Sequence, residues 1–275
     1  MVKLICIDMD GTLLNSQLQV SDENKKAIDL AQKQGIAVTL ATGRMYPSAL
    51  SFARQLGREM PLITMNGALV KNPVTEEKLS EHSIGRGELT QIINRITHYG
   101  YRPNFYDEFN LYVGAGLQRY YQRGAFDQID PRYQIIPIDE SFTYQDLLDK
   151  SGDTIKKGIF FPKQEDRELI RRELMAMKNL HVVSSSLTNL EMTNHLADKG
   201  KAVLLLGNYL GIRQEEIMVI GDSENDRSML AVAGHSIVMG NAPLSIKKEA
   251  SFVTSDNNQD GVARAIRTIA LGETC

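Results

Sequence analysis

The opening fourteen residues constrain the fold of this chain more than any other stretch. An uninterrupted apolar run, Leu4–Ile7, leads directly into Asp8 and Asp10, and Gly11 follows at once. A run that is apolar at every position is typical of a strand buried on both faces of a parallel sheet. Residues two apart in a strand point the same way, so we expect both carboxylates to leave the strand on one side. Gly11 allows the chain to turn there.

The two aspartates pose an electrostatic problem at the end of this strand. Two like charges so close repel each other unless a cation or a proton lies between them. The pair therefore favours a metal, a reacting group or both. A strand-end turn with two solvated aspartates is the alternative that this stretch alone leaves open.

Composition excludes several classes of function. The 275 residues are 42% hydrophobic and 24% charged, which is ordinary for a globular protein of one large or two modest domains. The formal charge is −3, from 31 basic and 34 acidic residues without a long basic run, so a nucleic-acid surface is not indicated. No segment resembles a signal peptide or a membrane span, and Cys6 and Cys275 do not make a disulfide framework. We expect a cytoplasmic protein without nucleic-acid or membrane partners.

Alternating strand and helix patterns predict a parallel sheet covered by helices. Further apolar runs at 36–41, 61–65 and 217–220 are interpreted as strands. The first helix is predicted over 22–34, and a second begins near Pro47 and ends near residue 57.

The middle third of the chain departs from this pattern. Its aromatic-rich segments are short, and none of its predicted strands ends in a compact polar signature. Strands are predicted there at 104–106, 111–113, 134–138, 155–161 and 180–186, and helices at 87–100, 142–149 and 165–177. We therefore predict an α/β domain over 84–188, inserted between core segments 1–83 and 189–275.

Polar residues follow four of the core strands. Asp8 and Asp10 end the first, Thr42 the second, Asn66 the third and Asp222 the fourth. Because ligands bind at the carboxyl ends of strands in open parallel α/β sheets, these residues are predicted to meet in one cleft.

The residue types at this edge favour phosphoryl transfer. The aspartates offer only hard oxygen ligands, which suit Mg²⁺ rather than zinc. The Thr42 hydroxyl and the Gly43 amide can donate to phosphate oxygens at a helix entry, and Lys199 can balance phosphate charge. Taken singly, such residues have plainer explanations: 42–43 as a turn, 199–201 as a solvated helix start, and Asn225 and Asp226 as helix-start residues.

Four motifs in order resemble those of the haloacid dehalogenase superfamily: D-M-D-G-T (8–12), T-G-R (42–44), K-G (199–200) and G-D-S-E-N-D (221–226). The N-G-A at 66–68, the mid-chain insertion and the tail N-A-P…D-G-V-A (241–243, 260–263) are similar to its Cof-type sugar-phosphatase branch. In the core, the resemblance rests on the motifs. In the inserted domain, which we call the cap, it rests only on position in the chain and on the α/β pattern. It implies an α/β fold with a Rossmann-like parallel-sheet core and an inserted α/β cap of type IIB.

The resemblance also implies a Mg²⁺-dependent phosphatase that acts on small phosphomonoesters, with sugar phosphates as the expected class. Asp8 is the expected nucleophile, which forms an aspartyl-phosphate, and Asp10 is the expected general acid and then base. Mg²⁺ is expected on the carboxylates of Asp8 and Asp222 and on the carbonyl of Asp10.

The other motif positions take supporting roles in this resemblance. The expected phosphate-binding residues are Met9 (through its amide), Thr42, Gly43, Lys199 and Asn225. Asp226 is expected behind the site, orienting Lys199 or metal-bound water. Asn66 is expected either to support the ligating residues or to contact the substrate. Arg44 is expected to face either the substrate or a carboxylate of the cap.

Two other functions stay open at this point. One is a phosphotransferase of the phosphohexomutase type, which uses the same chemistry but passes the phosphoryl group to a sugar hydroxyl. The other is a receiver-like signalling domain, which needs only about half this length and no cap. The sequence does not select among a hexose phosphate, a pentose phosphate, a nucleotide and pyridoxal phosphate, nor does it select an oligomeric state.

Overall fold

Strand β1 (Leu4–Ile7) lies inside a five-stranded parallel sheet and is buried on both faces. In this computed structural model, which describes residues 1–57, 60–114 and 130–273, Leu4 and Cys6 pack into one hydrophobic cluster. Ile5 and Ile7 pack into another. The alternation explains why every position of the run is apolar, since each face of the strand meets its own layer of helices.

The strands that form this sheet are β1, β2 (Ala37–Leu40), β12 (Ile217–Gly221), β13 (His235–Val238) and β14 (Phe252–Val253), in the order β14-β13-β12-β1-β2. A parallel bridge between Ala41 and Ile63 brings β3 (Leu62–Thr64) alongside β2. Strand β3 also pairs with β4 (Leu69–Lys71), and β4 pairs with β5 (Lys78–Glu81), in a small antiparallel sheet.

Register decides which residues meet at the carboxyl edge of the main sheet. Ile7 is paired with both Leu40 and Ile220, so β1, β2 and β12 end at the same level. The residues that follow, Asp8, Thr42 and Asp222, are therefore carried to one edge, as the sequence predicts.

The helices that cover this sheet are α1 (Asp22–Lys33), α2 (Tyr46–Gln55), α6 (Lys199–Tyr209), α7 (Arg227–Val232), α8 (Leu244–Lys247) and α9 (Gly261–Ala265). Ser21 caps α1, since its Oγ accepts the Asn24 backbone N–H at 3.2 Å. No helix within the described residues is long and apolar enough to cross a membrane.

A second sheet of six strands forms the cap. Its strands are β6 (Asn104–Tyr106), β7 (Asn110–Gly114), β8 (Gln134–Ile138), β9 (Lys157–Phe160), β10 (Leu180–Val183) and β11 (Leu190–Asn194), in the order β10-β11-β9-β6-β7-β8. The helices of this region are α3 (Arg86–His98), α4 (Tyr144–Ser151) and α5 (Gln164–Met175). All its described pairings are antiparallel except β7 with β8. The predicted fold class, a parallel α/β core with an α/β cap, is confirmed.

The cap sheet continues past the predicted boundary at 188/189. Strand β11 pairs with β9 and β10, so the sheet extends to Asn194. The turn residues at 184–189 favour a boundary there, and 190–194 leads almost directly into the third core motif. The division into 1–83, 84–188 and 189–275 itself stays a prediction.

Gly67 provides a test of the turn that follows β3. Its φ is +88°, and a Cβ built there would lie 2.5 Å from the backbone oxygen of Asp198. We expect Gly67→Ala to lower the free energy of unfolding by ~3 kcal/mol or more, from left-handed strain plus the backbone clash. Gly35→Ala is the matched control, since Gly35 has φ +84° with nothing within 4 Å, and should cost only about 1–2 kcal/mol. Urea denaturation of both variants measures this, and equal losses would contradict it.

Candidate active site

Asp8 lies directly after β1 and is held by a buried lysine. The Nζ of Lys199, the first residue of α6, donates to Oδ1 of Asp8 and to Oδ1 of Asp226, each at 2.6 Å. Lys199 and Asp226 are fully buried and Asp8 is 4% exposed. Burial alone would lower the pKa of Lys199, but the charges of Asp226 and Asp8 raise it above its ordinary value. The ammonium group therefore stays charged within the protein.

Asp222 lies after β12, and the opening turn fits closely against it. The Thr12 hydroxyl donates to its Oδ1 at 2.7 Å. A Cβ on Gly11, whose φ is +80°, would lie 2.5 Å from Asp222 Oδ2. Oδ2 of Asp226 accepts the backbone N–H groups of Asp222 and Ser223 at 2.9 and 3.0 Å. The opening turn, the carboxylate of Asp222 and the side chain of Asp226 thus form one packed unit.

The cluster holds more negative than positive charge. Carboxylate oxygens of Asp8, Asp222 and Asp226 lie within 4.8 Å of one another, around the single ammonium group of Lys199. Burial and the charges of Asp226 and Asp222 raise the pKa of Asp8 well above its usual value. Burial and the charge of Asp226 likewise raise the pKa of Asp222 to about 7. Such a site is stabilised by an additional cation.

The donor set fits a hard divalent cation, because all three side chains offer only oxygen. Both carboxylate oxygens of Asp226 already accept hydrogen bonds. Among the described residues, the hydrogen bonds to the carboxylates of Asp8 and Asp222 reach one oxygen of each. Asp8 and Asp222 therefore suit direct metal ligation and Asp226 suits support, which is the division of roles that the resemblance implies.

Asp10 lies at the edge of the cluster and pairs with Arg44. Its carboxylate is 48% exposed and accepts two hydrogen bonds from Arg44, at 2.7 Å from Nε and 2.5 Å from Nη2. The guanidinium also lies over the Phe52 ring, 5.1 Å from its centre. We expected Arg44 to face the substrate or a cap carboxylate, but its partner is a carboxylate of the core. The side chain of Met9 is fully buried, which leaves only its backbone for a role in the site.

Three of the predicted phosphate-binding residues, Thr42, Gly43 and Asn225, lie around Asn66. Thr42 is 1% exposed, and its Oγ1 accepts the Arg44 backbone N–H at 3.1 Å, so its own hydrogen is left to donate. Asn66, with φ +58°, accepts a hydrogen bond on Oδ1 from Asn225 Nδ2 at 3.1 Å. A Cβ on Gly43 would lie 3.0 Å from Asn66 Oδ1. The ends of β2 and β3 and the fourth motif thus meet here.

Residues near the C-terminus hold the opening turn. Asn241 Nδ2 donates to the Gly11 carbonyl at 2.8 Å, and Asn257 Nδ2 donates to the Leu14 carbonyl at 2.8 Å. Neither asparagine was predicted as a site residue. The signal was present only as the N-A-P motif at 241–243, which the resemblance includes without giving it a role.

The cap supplies two charged residues that sequence reasoning missed. Lys157 donates to the Gly43 carbonyl at 2.8 Å, and Glu191 accepts from Asn66 Nδ2 at 2.7 Å. Each lies in a strand of the cap, where a charged residue usually indicates a solvated face. Nothing in the sequence shows that the two are neighbours.

Comparison with known proteins identifies the family of this chain. A family model described as haloacid dehalogenase-like hydrolase matches residues 5–266. The chain belongs to this family. The resemblance drawn from the four motifs is thereby confirmed.

Relatives of this chain in Bacillus subtilis (strain 168) match it over nearly its whole length. Phosphatase YwpJ is 31% identical, covering 97% of this chain and 99% of the relative. The 5-amino-6-(5-phospho-D-ribitylamino)uracil phosphatase YcsE is 31% identical, covering 97% and 95%. A solved haloacid dehalogenase-like hydrolase from B. subtilis superposes with a TM-score of 0.86 at 30% identity, covering 98% of this chain and 100% of that one. The chain is an enzyme, a hydrolase whose relatives are named phosphatases.

The raised pKa of Asp222 predicts how the metal-free protein responds to pH. The pKa of an aspartate in the unfolded chain is about 3.9, well below that of Asp222 in the folded protein. The charged carboxylate of Asp222 therefore destabilises the folded protein most above about pH 7, and this destabilisation disappears as the pH falls toward 4. In EDTA near pH 8, we expect Asp222→Asn to increase the free energy of unfolding by on the order of 2 kcal/mol. Near pH 4 the variant should show no advantage.

Thermal denaturation at both pH values measures this difference. Asp29→Asn, at an exposed aspartate of α1 that pairs with Lys33, is the control, and because an exposed ion pair contributes little it should change the free energy of unfolding by less than about 1 kcal/mol at either pH. A gain for Asp222→Asn that is the same at pH 8 and pH 4 would show that the buried charge is not its cause.

Proposed function

We propose that this enzyme is a Mg²⁺-dependent phosphatase that hydrolyses small phosphomonoesters through an aspartyl-phosphate on Asp8. The observation that carries the proposal is the position of the Asp8 carboxylate. It is buried at a strand end, held on Oδ1 by Lys199, and next to Asp222 in a cluster that favours a cation. A carboxylate needs no deprotonation to attack phosphorus, and its acyl phosphate is labile enough to hydrolyse.

In the first step, Oδ2 of Asp8 attacks phosphorus while the bond from phosphorus to the ester oxygen breaks. Asp10 donates a proton to the departing alkoxide, which leaves as the alcohol. To reach the leaving group, the Asp10 carboxyl exchanges its bonds to Arg44 for one to the substrate. The half-exposed position of Asp10 leaves room for this movement.

In the second step, water attacks phosphorus and Asp10 takes up its proton. The bond from phosphorus to the Asp8 oxygen breaks, which releases inorganic phosphate and restores the carboxylate. Throughout, the phosphoryl oxygens accept hydrogen bonds from the Thr42 hydroxyl and the Gly43 amide, and Lys199 offsets their charge. Catalysis of phosphoryl transfer consists largely of this positioning and charge neutralisation.

Mg²⁺ is proposed to bind the carboxylates of Asp8 and Asp222 and the carbonyl of Asp10. When bound, it supplies positive charge that screens the approach of one anion to another. Asp226 supports the site by fixing the backbone at 222–223 and by orienting Lys199.

The cap is proposed to close over the substrate. Arg171 of α5 makes a bidentate ion pair with Glu224 of the fourth motif, which joins the cap to the core at the site. A closed cap excludes water and strengthens the electrostatics of the cleft. We propose sugar phosphates as the substrate class, which the similarity to a phosphatase named for a phosphoribityl compound supports. A cytoplasmic location remains a prediction.

The role of Asp8 is tested by Asp8→Asn. We expect release of inorganic phosphate from p-nitrophenyl phosphate and from hexose phosphates to fall by ~10³-fold or more, because the amide is not a nucleophile. Asp29→Asn should leave turnover unchanged. Circular dichroism should show both variants folded. Appreciable residual hydrolysis by Asp8→Asn would remove the nucleophile assignment, and conversion of a phosphosugar to its isomer without phosphate release would favour a mutase.

The role of Asp10 is tested by the dependence on leaving group. Nitrophenolate leaves without protonation, whereas a sugar alkoxide requires a proton. We therefore expect Asp10→Asn to lower kcat at least ~10-fold more for a hexose phosphate than for p-nitrophenyl phosphate. Steady-state assays with both substrates measure the ratio. Equal losses for the two substrates would argue against a general acid.

A further inference from the structure

Lys157 and Glu191 form an ion pair inside the cap, against the core. Lys157 lies on β9 and Glu191 on the adjacent strand β11, and Lys157 Nζ is 2.8 Å from Glu191 Oε2. The two residues are 3% and 2% exposed. Burial alone would raise the pKa of Glu191, but Lys157, Ser185 and Asn66 hold it below its ordinary value, so the carboxylate of Glu191 stays charged.

Lys157 contacts the turn that is proposed to bind phosphate. Its Nζ donates to the Gly43 carbonyl at 2.8 Å. The amide of that same peptide unit, the Arg44 N–H, donates to Thr42 Oγ1 at 3.1 Å. One peptide plane is therefore fixed at both ends, by the cap at its carbonyl and by Thr42 at its amide. Because Thr42 Oγ1 accepts from this amide, its own hydrogen is left to donate to another group.

Glu191 contacts Asn66, which adjoins the turn that is proposed to bind phosphate. Its Oε2 accepts from Asn66 Nδ2 at 2.7 Å, and its Oε1 accepts from Ser185 Oγ at 2.7 Å. Asn66 in turn accepts from Asn225 Nδ2 at 3.1 Å. The amide of Asn66 is thus held in one orientation by a charged acceptor and a neutral donor, and Asn225 is held with it.

Stability alone does not explain a buried ion pair. Removing two charges from water costs about as much as their attraction returns, and apolar residues of similar size often stabilise a protein equally well. The pair does orient its polar neighbours, because an ammonium and a carboxylate form directional hydrogen bonds that apolar side chains cannot form. Its partners here are Gly43 and Asn66, which adjoin each other where phosphate is proposed to bind.

We propose that Lys157 and Glu191 are positioning residues for the reaction. With the cap in place, the pair fixes the 43–44 peptide unit and the Asn66 amide, and through them Thr42 and Asn225, in the geometry that holds the transferring phosphoryl group. This inference rests on the proposed phosphatase function. It assigns to the cap a part in arranging the core, in addition to covering the cleft.

The neighbouring lysine provides a matched control. Lys156 is 2% exposed and also joins the cap to the core, through Glu81 of β5 at 2.6 Å. It touches neither Gly43 nor Asn66. Lys156→Met and Lys157→Met thus each remove one buried ammonium group from a cap-to-core ion pair, one residue apart. Only Lys157→Met removes a contact to the turn that is proposed to bind phosphate.

The test measures kcat and KM for p-nitrophenyl phosphate, the inhibition constant of orthovanadate, and the melting temperature, all with Mg²⁺. For Lys157→Met we expect kcat to fall by ~10- to 100-fold with KM changed by less than ~3-fold, because misplacement of a bound phosphoryl group lowers the rate of the chemical step. Orthovanadate, which takes the five-coordinate geometry of the transferring group, should bind ~10-fold more weakly. Lys156→Met should keep kcat and orthovanadate affinity within ~2-fold of the unsubstituted enzyme, whatever its melting temperature.

A double variant tests whether the pair acts as a unit. Lys157→Met combined with Glu191→Gln should be no slower than the slower single variant, because residues that act together give non-additive losses. Independent, multiplying losses would contradict the inference. Equal kcat for Lys157→Met and Lys156→Met would overturn it. If Lys157→Met does not fold, Glu191→Gln, which keeps volume and an acceptor for Asn66, replaces it, and unchanged kcat there would also overturn the inference.

The two proposals fail in different ways. Absence of phosphate release from the unsubstituted enzyme and from Lys156→Met would contradict the phosphatase function itself. Activity in both, with no specific loss in Lys157→Met, would contradict only the positioning role.

Discussion

The single ammonium group of Lys199, between Asp8 and Asp226, is the interaction on which the rest of the site depends. It lies 2.6 Å from each carboxylate and is buried with them, so bulk solvent screens their charge little. One positive charge does not balance three carboxylates, and burial together with this imbalance raises the pKa values of Asp8 and Asp222. The folded site therefore carries excess negative charge. A divalent cation can neutralise this charge, and an anionic substrate can then bind.

Strand register holds this arrangement in place. Because β1, β2 and β12 end at one level, residues far apart in the chain meet at one sheet edge. Asn241 and Asn257 hold the opening turn by hydrogen bonds, and Gly11 in that turn fits closely against the carboxylate of Asp222. Positioning of this kind is what phosphoryl transfer requires from the protein.

The sequence predicts the core well because its signals are local. A strand that is apolar at every position predicts double burial, and the aspartates, threonine and asparagine that follow such strands predict the shared edge. The predicted helices at 22–34, 87–100 and 165–177 lie within two residues of the observed ones. Ser21 and Gly35 mark the ends of the first, and Gly100 marks the end of the second.

Contacts between elements are where sequence reasoning ends. The pairing of Arg44 with Asp10 depends on how the second turn faces the first, and no periodicity encodes it. Lys157 and Glu191 become neighbours only because β9 and β11 pair in the cap. Strand β11 was left outside the predicted cap for the same reason, because pairing partners in an antiparallel sheet are decided by packing rather than by local pattern.

The central claim is that the Asp8 carboxylate takes the phosphoryl group. The most direct measurement is to quench the enzyme in acid during turnover of p-nitrophenyl phosphate, reduce the protein with borohydride, and locate the modified residue by mass spectrometry. Borohydride reduces an acyl phosphate to an alcohol, so the account predicts homoserine at position 8 and unmodified aspartate at positions 10, 222 and 226. Phosphate release with aspartate intact at position 8, or with the reduced residue elsewhere, would contradict it.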